Sequence, residues 1–287
     1  MRTQAISLRQ ILCLAVILLL PVAGCSSTSV LGPSIEPLSS PKYAAIVVDA
    51  DSGEILYQNA AHAPRYPASL TKMMTLYLLF EALDSGSLSP SVPIPVSSHA
   101  ASQPPSKLGL RTGRTFDVQT AILALCVKSA NDVAVAVAEL LGGSEQQFAM
   151  MMTAKARQLG MRSTTFVNAS GLPDPRQVST AHDMALLAIA LQKRFPNRYP
   201  VFSSQSFTYA GKTIKGHNDL LGRVDGVDGI KTGYIRASGY NIATSAARGG
   251  SRIIVVVMGG ETAKSRDEHV EELLEAYLPR SAFATLH

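Results

Sequence analysis

The chain has 287 residues, of which 46% are hydrophobic and 16% are charged, which is enough to bury one large core. Its formal net charge of +5 is small and the basic residues are scattered, so the composition excludes an extended nucleic-acid-binding surface. The six histidines show no metal-ligand spacing, and we expect no metal site.

The N-terminal segment 1–24 has the pattern of an export signal. Arg2 and Arg9 precede an apolar run over 11–20, which is too short to span a bilayer of about 30 Å as a helix. The small residues before Cys25 resemble the lipobox of bacterial lipoproteins, in which the cysteine becomes the lipid anchor. Ordinary signal-peptidase cleavage nearby is the alternative. We therefore expect an exported, periplasmic protein that is anchored to a membrane through Cys25.

A serine- and proline-rich tether follows the signal. Residues 25–42 have no hydrophobic period and are predicted to be flexible, linking the anchor to a domain over 43–287. Export removes Cys13 and lipidation would use Cys25, so Cys126 alone remains, in a segment that reads as a buried apolar helix. A single thiol cannot form a disulfide framework.

The domain begins with a predicted β-hairpin, in which two β-type runs over 43–48 and 54–58 flank an Asp-Ser-Gly turn. A helix over 68–83 follows, which is apolar almost all round and is therefore expected to be deeply buried. The stretch 85–105, broken by proline and serine, is expected to be an irregular loop. The remaining predicted elements are helices over 118–128, 132–141, 145–159, 181–194 and 266–278, and strands over 206–216, 227–234, 239–250 and 251–260.

Strand-forming segments therefore lie at both ends of the domain, with helices between them. This order predicts an α+β fold in which one antiparallel sheet, built from about 43–66 and 205–287, is flanked by helices. A mostly helical lobe over about 85–200 would be inserted into it. We expect a cleft between the sheet and the lobe.

The apolar helix over 68–83 starts with Ser69 and Lys72, which are three residues apart and so project from the same face. Taken alone, this pattern is typical of a serine cap and a lysine that snorkels to the surface. Burial near a second cation would instead lower the pKa of Lys72 enough for its neutral amine to accept a proton from Ser69. Free N–H groups at the helix start could stabilise an oxyanion.

Two further short motifs carry polar residues toward the expected cleft. "KSAND" places Ser129 and Asn131 at the break between two apolar helices, where the alternative is a helix cap. "DGIKTGY" places Lys231 and Thr232 at a strand end, where a cation and a hydroxyl can hold a carboxylate, and Gly233 permits close approach to the backbone. The alternative there is a charged strand end.

Three motifs in the order Ser-x-x-Lys, Ser-x-Asn and Lys-Thr-Gly, beginning at Ser69, Ser129 and Lys231, resemble those of the penicillin-recognising serine acyl transferases. This group contains the penicillin-binding proteins and the serine β-lactamases. The similarity is strongest to the low-molecular-mass D-alanyl-D-alanine carboxypeptidases. It extends through "AAIVVDADSGEILY", "FVNASGLPD", "GHNDLLGRVDGVDGIKTGY" and "ASGYNIATSA" and covers most of 43–259.

The resemblance implies a β-lactamase/transpeptidase-like fold and a serine peptidase that needs no cofactor. Ser69 would be the acylated nucleophile and Lys72 its general base, while Ser129 would relay the proton to the leaving amine. The backbone N–H groups of Ser69 and Tyr234 would form the oxyanion hole. The reaction would remove the terminal D-alanine from the stem pentapeptide of peptidoglycan.

The resemblance also implies how the substrate binds. Asn131 would orient it, and Lys231 with Thr232 would hold the terminal carboxylate of D-alanine or of a β-lactam antibiotic. Gly233 and Tyr234 would complete the substrate-binding strand. The expected partners are therefore peptidoglycan stem peptides, with β-lactams as inhibitors, and not nucleic acid.

Three alternatives share parts of this pattern. A class A β-lactamase has the same motifs but deacylates with a glutamate between the second and the third, and this chain has no glutamate over 146–260. Asp174, the one acid near the corresponding loop, reads as a turn residue. A D,D-endopeptidase acting on cross-links would use the same serine chemistry, and a catalytically silent lipoprotein would need a broken motif. His217 and Asn218, just before the third motif, are candidates for the cleft wall.

Overall fold

The computed structural model describes residues 35–278. The predicted export signal and Cys25 lie outside the described residues, so cleavage and lipidation remain predictions. Residues 35–42, at the end of the predicted tether, form no helix or strand, but Ile35 and Leu38 pack against an apolar cluster on one face of the sheet. The packed part of the chain therefore begins before residue 43, the predicted start of the domain.

Along the described chain, short strands and helices come first, and three long strands and a final helix follow. The strands are β1 Ala44–Asp49, β2 Ile55–Asn59, β3 Pro93–Pro95, β4 Thr115–Asp117, β5 Ser206–Tyr209, β6 Lys212–Lys215, β7 Val227–Ile235, β8 Gly239–Arg248 and β9 Ser251–Gly260. The α-helices are α1 Lys72–Asp84, α2 Ser98–Ala101, α3 Val118–Leu123, α4 Asn131–Gly142, α5 Glu145–Gln158, α6 Ala181–Arg194 and α7 Ala263–Tyr277.

Five strands form one antiparallel sheet in the order β2-β1-β9-β8-β7, so strands from both ends of the domain do pair, as predicted. Side chains alternate along β9 between two cores: Ile254 and Val256 face the cluster that contains α1, α4 and α6, whereas Val255 faces the cluster that contains α7. Burial on both faces explains why β9 reads as a continuous apolar run. The strand β7 is left at the edge of the sheet.

Helices α4, α5 and α6 pack around α1, in which every residue over 72–80 is buried. Two predicted helix starts have the expected caps. The N–H of Gln147 donates to Ser144 Oγ at 3.2 Å, and the N–H of Asp183 donates to Thr180 Oγ1 at 3.0 Å. The predicted α+β fold is confirmed. None of the helices within the described part of the chain combines the length and apolar character needed to cross a bilayer.

Three stretches differ from the prediction. The predicted strands over 206–216 pair only with each other, as the separate hairpin β5–β6, because their mostly exposed side chains offer the main sheet little apolar surface. The stretch 85–105 is not wholly irregular, since it contains β3 and α2. The predicted helix over 118–128 is α-helical to Leu123 and then forms a π-helical turn, Ala124–Lys128, a change of hydrogen bonding that apolar periodicity does not reveal.

Candidate active site

A cleft of about 440 Å³ opens between the edge strand β7 and the helical part of the domain. Its walls come from the turn before α1, the junction between the π-helical turn and α4, a loop over 170–172, and β7 itself. Of the residues predicted from the three motifs, those that line it are Ser69, Ser129, Asn131, Thr232, Gly233 and Tyr234. The two lysines of the motifs lie behind these walls. The fold therefore brings all three motifs to one place.

Ser69 lies on a short 3₁₀ turn, Ala68–Thr71, that leads directly into α1. Its side chain caps neither this turn nor α1. Lys72, the first residue of α1, is fully buried, so its ammonium group does not reach solvent as a snorkelling lysine would. The interpretation of this motif as a serine cap followed by a snorkelling lysine is therefore wrong for both residues.

The amine of Lys72 has three polar neighbours. Nζ lies 3.1 Å from Ser69 Oγ and donates to Asn131 Oδ1 at 2.8 Å and to the carbonyl oxygen of Ser170 at 2.5 Å. Asn131 Nδ2 donates to the carbonyl of Pro104 at 2.9 Å, which leaves Oδ1 facing the lysine. A neutral amine has two N–H groups and one lone pair. Because the Asn131 and Ser170 oxygens can only accept, they take both N–H groups and leave the lone pair for the Ser69 hydroxyl.

The surroundings of Lys72 favour the neutral amine that this geometry needs. Burial lowers its pKa well below the ordinary value, and the positive charge of Lys231 lowers the pKa further, while Asp132 acts in the opposite direction. The Asp132 carboxylate is itself occupied by the backbone N–H groups of residues 108–110, at 2.8 to 3.0 Å. The site can therefore deprotonate a serine hydroxyl.

Ser129 and Asn131 belong to different elements. Ser129 ends the π-helical turn in the left-handed conformation, with φ 57° and ψ 40°, which is uncommon for residues other than glycine. Its Oγ is buried and, within residues 35–278, has no hydrogen-bond partner. Ser129 is not the N-cap of the following helix, because Ala130 occupies the N-cap position of α4. A buried hydroxyl without a partner is available to a molecule bound in the cleft.

The edge strand β7 carries the third motif along the cleft. A β-carbon on Gly233 would lie 2.9 Å from the backbone nitrogen of Ser69, so glycine allows the strand to approach the Ser69 turn. Lys231 is buried, and its Nζ donates to the carbonyl of Thr232 at 2.7 Å. Burial, opposed by the Cys126 thiol, lowers the pKa of Lys231 to about 8. Lys231 thus acts on the cleft through its charge rather than by lining it.

Several parts of the cleft were not among the predicted site residues, and two of them bear on its chemistry. One is the Ser170–Gly171 segment, within the quoted stretch "FVNASGLPD", where a β-carbon on Gly171 would overlap the carbonyl of Ala68. The other is Arg266 on α7, a buried residue that lines the cleft and donates from Nη1 to the carbonyl of Asn241 at 3.0 Å. Nothing local in the sequence marks either contribution, since one is a backbone carbonyl and the other stands on a helix remote from the motifs.

The remaining candidates from the sequence are distributed around the site. His217 lines the cleft, whereas Asn218 borders a smaller neighbouring cavity. Cys126 also borders that cavity; the residue as a whole is partly buried, and burial of its thiol raises the pKa of that group to about 12. Asp174 forms an ion pair with Arg176 at 2.7 Å and does not line the cleft, as expected for a turn residue.

Comparison with known proteins gives a consistent family assignment. The family model of peptidase S11, D-alanyl-D-alanine carboxypeptidase, matches residues 35–262. The chain is 34% identical over 249 residues to the D-alanyl-D-alanine carboxypeptidase DacF of Bacillus subtilis, covering 85% of this chain and 64% of that protein. It is 37% identical over 236 residues to DacD of Escherichia coli strain K12, covering 80% and 61% respectively.

The fold agrees with this assignment. The structure of penicillin-binding protein D2 from Listeria monocytogenes in its cefotaxime-bound form superposes with a TM-score of 0.76 at 35% identity, covering 85% of this chain and 98% of that one. This superposition confirms the fold implied by the resemblance. The chain spans less than two thirds of the length of DacF and DacD. Because the family model covers most of the chain and both relatives exceed 30% identity, the chain belongs to the D-alanyl-D-alanine carboxypeptidase family, peptidase S11.

Proposed function

We propose that the protein is a serine D,D-carboxypeptidase that removes the terminal D-alanine from peptidoglycan stem pentapeptides and is acylated by penicillins. One observation carries the proposal. The buried amine of Lys72 lies 3.1 Å from Ser69 Oγ and within hydrogen-bond distance of two oxygens that can only accept, those of Asn131 and Ser170, so a neutral amine keeps its lone pair for the serine. Membership of the carboxypeptidase family supports the same conclusion.

In the proposed reaction, Ser69 Oγ attacks the carbonyl carbon of the D-Ala-D-Ala bond while Lys72 accepts the serine proton. The backbone N–H groups of Ser69 and Tyr234 would stabilise the oxyanion, and β7 suits this role because an edge strand has one side free of sheet pairing. The C–N bond then breaks as Ser129 passes the proton held by Lys72 to the leaving amine. D-alanine departs and an ester on Ser69 remains. Water attacks this ester, with Lys72 again as base, and releases the shortened peptide.

The terminal carboxylate of the peptide would bind beside the third motif. Thr232 lines the cleft and offers a hydroxyl, and Lys231 lies behind the wall as a buried cation. Arg266 adds a second cation to this wall, held in place because its Nε and Nη2 groups bind Asp267 Oδ1 at 2.8 and 2.7 Å. A carboxylate is favoured where fixed cations and hydrogen-bond donors converge.

The residues that line the cleft also support slow hydrolysis of the ester that a penicillin would form with Ser69. Among the described residues that line it, Asp219 is the one carboxylate, and Asp219 interacts electrostatically with Arg266. The nearest glutamate along the chain before the third motif, Glu145, binds the backbone of Ala169 instead of facing the cleft. A class A β-lactamase mechanism, which requires a glutamate base, therefore has no candidate residue in this cleft.

We also propose that the protein works outside the cytoplasm, anchored through a lipid on Cys25. This proposal rests on the export-signal pattern over 1–24 and on the family, and both the signal and Cys25 lie outside the described residues. Labelling cells with a radioactive fatty acid tests it directly. The wild-type protein should incorporate label and the Cys25→Ala variant should not.

The proposed activity is tested by measuring D-alanine release from a synthetic stem pentapeptide and, separately, the cleavage of a cross-linked peptide dimer into its two stem peptides. We expect release from the pentapeptide by the wild-type protein and none by Ser69→Ala. Cleavage of the dimer alone would show that the protein is an endopeptidase and not a carboxypeptidase. Rapid hydrolysis of penicillin without a stable adduct would show that the protein is a β-lactamase.

A further inference from the structure

We propose that Glu145 is a positioning residue that holds the backbone at Ala169 so that the next carbonyl, that of Ser170, meets the amine of Lys72. Glu145 stands on α5 and does not line the cleft. Its effect on the reaction would pass entirely through the backbone of this segment. The inference rests on the proposed function, because it assigns Lys72 the role of general base.

The Glu145 carboxylate is fixed from two sides. Oε1 accepts the backbone N–H of Ala169 at 3.0 Å, and Oε2 lies 2.8 Å from His99 Nε2. The side chain of Glu145 is 16% exposed, so its bond to Ala169 is partly shielded from water, whereas its contact with His99 lies at the surface. Glu145 is also the first residue of α5, after the N-cap Ser144, where a negative charge is favourable. A charged acceptor makes the bond to Ala169 stronger than a neutral one would.

Ala169 is held at both of its backbone polar groups. Besides the bond from its N–H to Glu145, its carbonyl accepts a hydrogen bond from Thr75 Oγ1 at 2.7 Å, and Thr75 is buried in α1 one turn after Lys72. The carbonyl that follows, on Ser170, accepts from Lys72 Nζ at 2.5 Å. The orientation of the Ser170 carbonyl therefore depends on bonds that Glu145 and Thr75 make to the preceding residue.

This dependence matters because the Ser170 carbonyl is one of two acceptors that direct the Lys72 lone pair. If the carbonyl turns away, an N–H of the amine can point toward Ser69 instead, and the amine no longer accepts the serine proton. Small misplacements of reacting groups lower rates steeply. Substrate binding at Thr232 and Arg266, on the opposite wall, should be unaffected.

The test is the kinetics of acylation by a fluorescent penicillin, measured on the full-length protein over a range of penicillin concentrations. This separates the dissociation constant of the penicillin from the limiting acylation rate. For Glu145→Ala we expect the limiting rate to fall about 10-fold with an unchanged dissociation constant. For Glu145→Gln we expect a rate within about twofold of wild type, because the amide oxygen can still accept from Ala169.

Glu139→Ala is the matched control. Glu139 borders the same surface cavity as Glu145, but its carboxylate accepts from Ser97 Oγ at 2.8 Å rather than from the backbone of Ala169. We expect acylation by this variant at the wild-type rate. Circular dichroism melting of each variant establishes that it is folded.

The outcomes separate this inference from the proposed function. A wild-type protein that takes no label would overturn the proposed function. A labelled wild type with Glu145→Ala acylating at the same rate, or with Glu145→Gln as slow as Glu145→Ala, would overturn the positioning role alone. If Glu145→Ala does not fold, His99→Ala is the alternative variant, because the His99 side chain is 55% exposed. Loss of this partner of Glu145 should lower the limiting acylation rate about threefold. An unchanged rate would contradict the inference.

Discussion

Lys72 and Asn131 are joined by a hydrogen bond of 2.8 Å between Nζ and Oδ1. The bond links the first residue of α1 to the first residue of α4, so the second motif helps to orient the base of the first. Because the asparagine is neutral, it holds the amine while favouring the ammonium form much less than a carboxylate would. The choice of an amide rather than a carboxylate at this position therefore bears directly on the protonation of Lys72.

Replacing that amide by a carboxylate should raise the pKa of Lys72. A negative charge 2.8 Å from Nζ favours the ammonium form, so we expect Asn131→Asp to move the acid limb of the acylation profile to higher pH by about 1–3 units. The measurement is the second-order rate constant for acylation by penicillin as a function of pH. Asn197→Asp, at an exposed residue that does not line the cleft, serves as the control. An acid limb at the wild-type position in Asn131→Asp would contradict this account of Lys72.

The alkaline side of the same profile should report Lys231. Its pKa is lowered to about 8 by burial, so it is charged below that pH and neutral above it. Loss of the charge weakens the attraction for the substrate carboxylate and removes the cation that helps to keep Lys72 neutral. We therefore expect the wild-type rate constant to fall as the pH rises through about 8. A rate that stays constant up to about pH 10 would show that the charge of Lys231 is not required.

Alanine substitutions at Gly171 and Gly53 separate two effects: the steric clash with the carbonyl of Ala68, and the strain of alanine at positive φ. Both have positive φ, 88° and 79°, but a β-carbon on Gly171 would overlap the carbonyl of Ala68, whereas one on Gly53 would meet nothing within 4 Å. Alanine in this conformation costs about 1–2 kcal/mol at either site. We expect Gly171→Ala to lose a further 1–3 kcal/mol or so, as overpacking does, and to acylate at least about 10-fold more slowly.

The measurements for this pair are the free energy of unfolding from urea titration and the acylation rate constant. Gly53→Ala should show the strain cost with wild-type acylation. Equal stability and equal acylation in the two variants would mean that the contact between the 170–172 loop and the Ser69 turn does not shape the site.

The sequence predicts those features of the site that side chains specify. Ser69, Ser129, Asn131 and Thr232 line one cleft, and the order of strands and helices predicts the sheet that carries the third motif. The burial of Lys72 also follows from the uniformly apolar helix that it begins. The catalytic and binding roles assigned to these residues remain predictions.

The features that the sequence does not predict depend on the backbone or on distant elements. The Ser170 carbonyl that binds Lys72 is a group that every residue possesses, so no residue type marks it. The π-helical turn that ends at Ser129 arises from a shift in hydrogen bonding within an evenly apolar segment. Arg266 reaches the cleft because α7 packs along the sheet, a relationship that only the folded chain contains.

The central claim is that Ser69 is the nucleophile that Lys72 activates. The most direct test is to incubate the full-length protein with benzylpenicillin, digest it, and locate the covalent adduct by mass spectrometry. The account expects one adduct on the peptide that contains Ser69, and none in Ser69→Ala with an unchanged melting temperature. An adduct on another residue, or labelling that persists in Ser69→Ala, would contradict it.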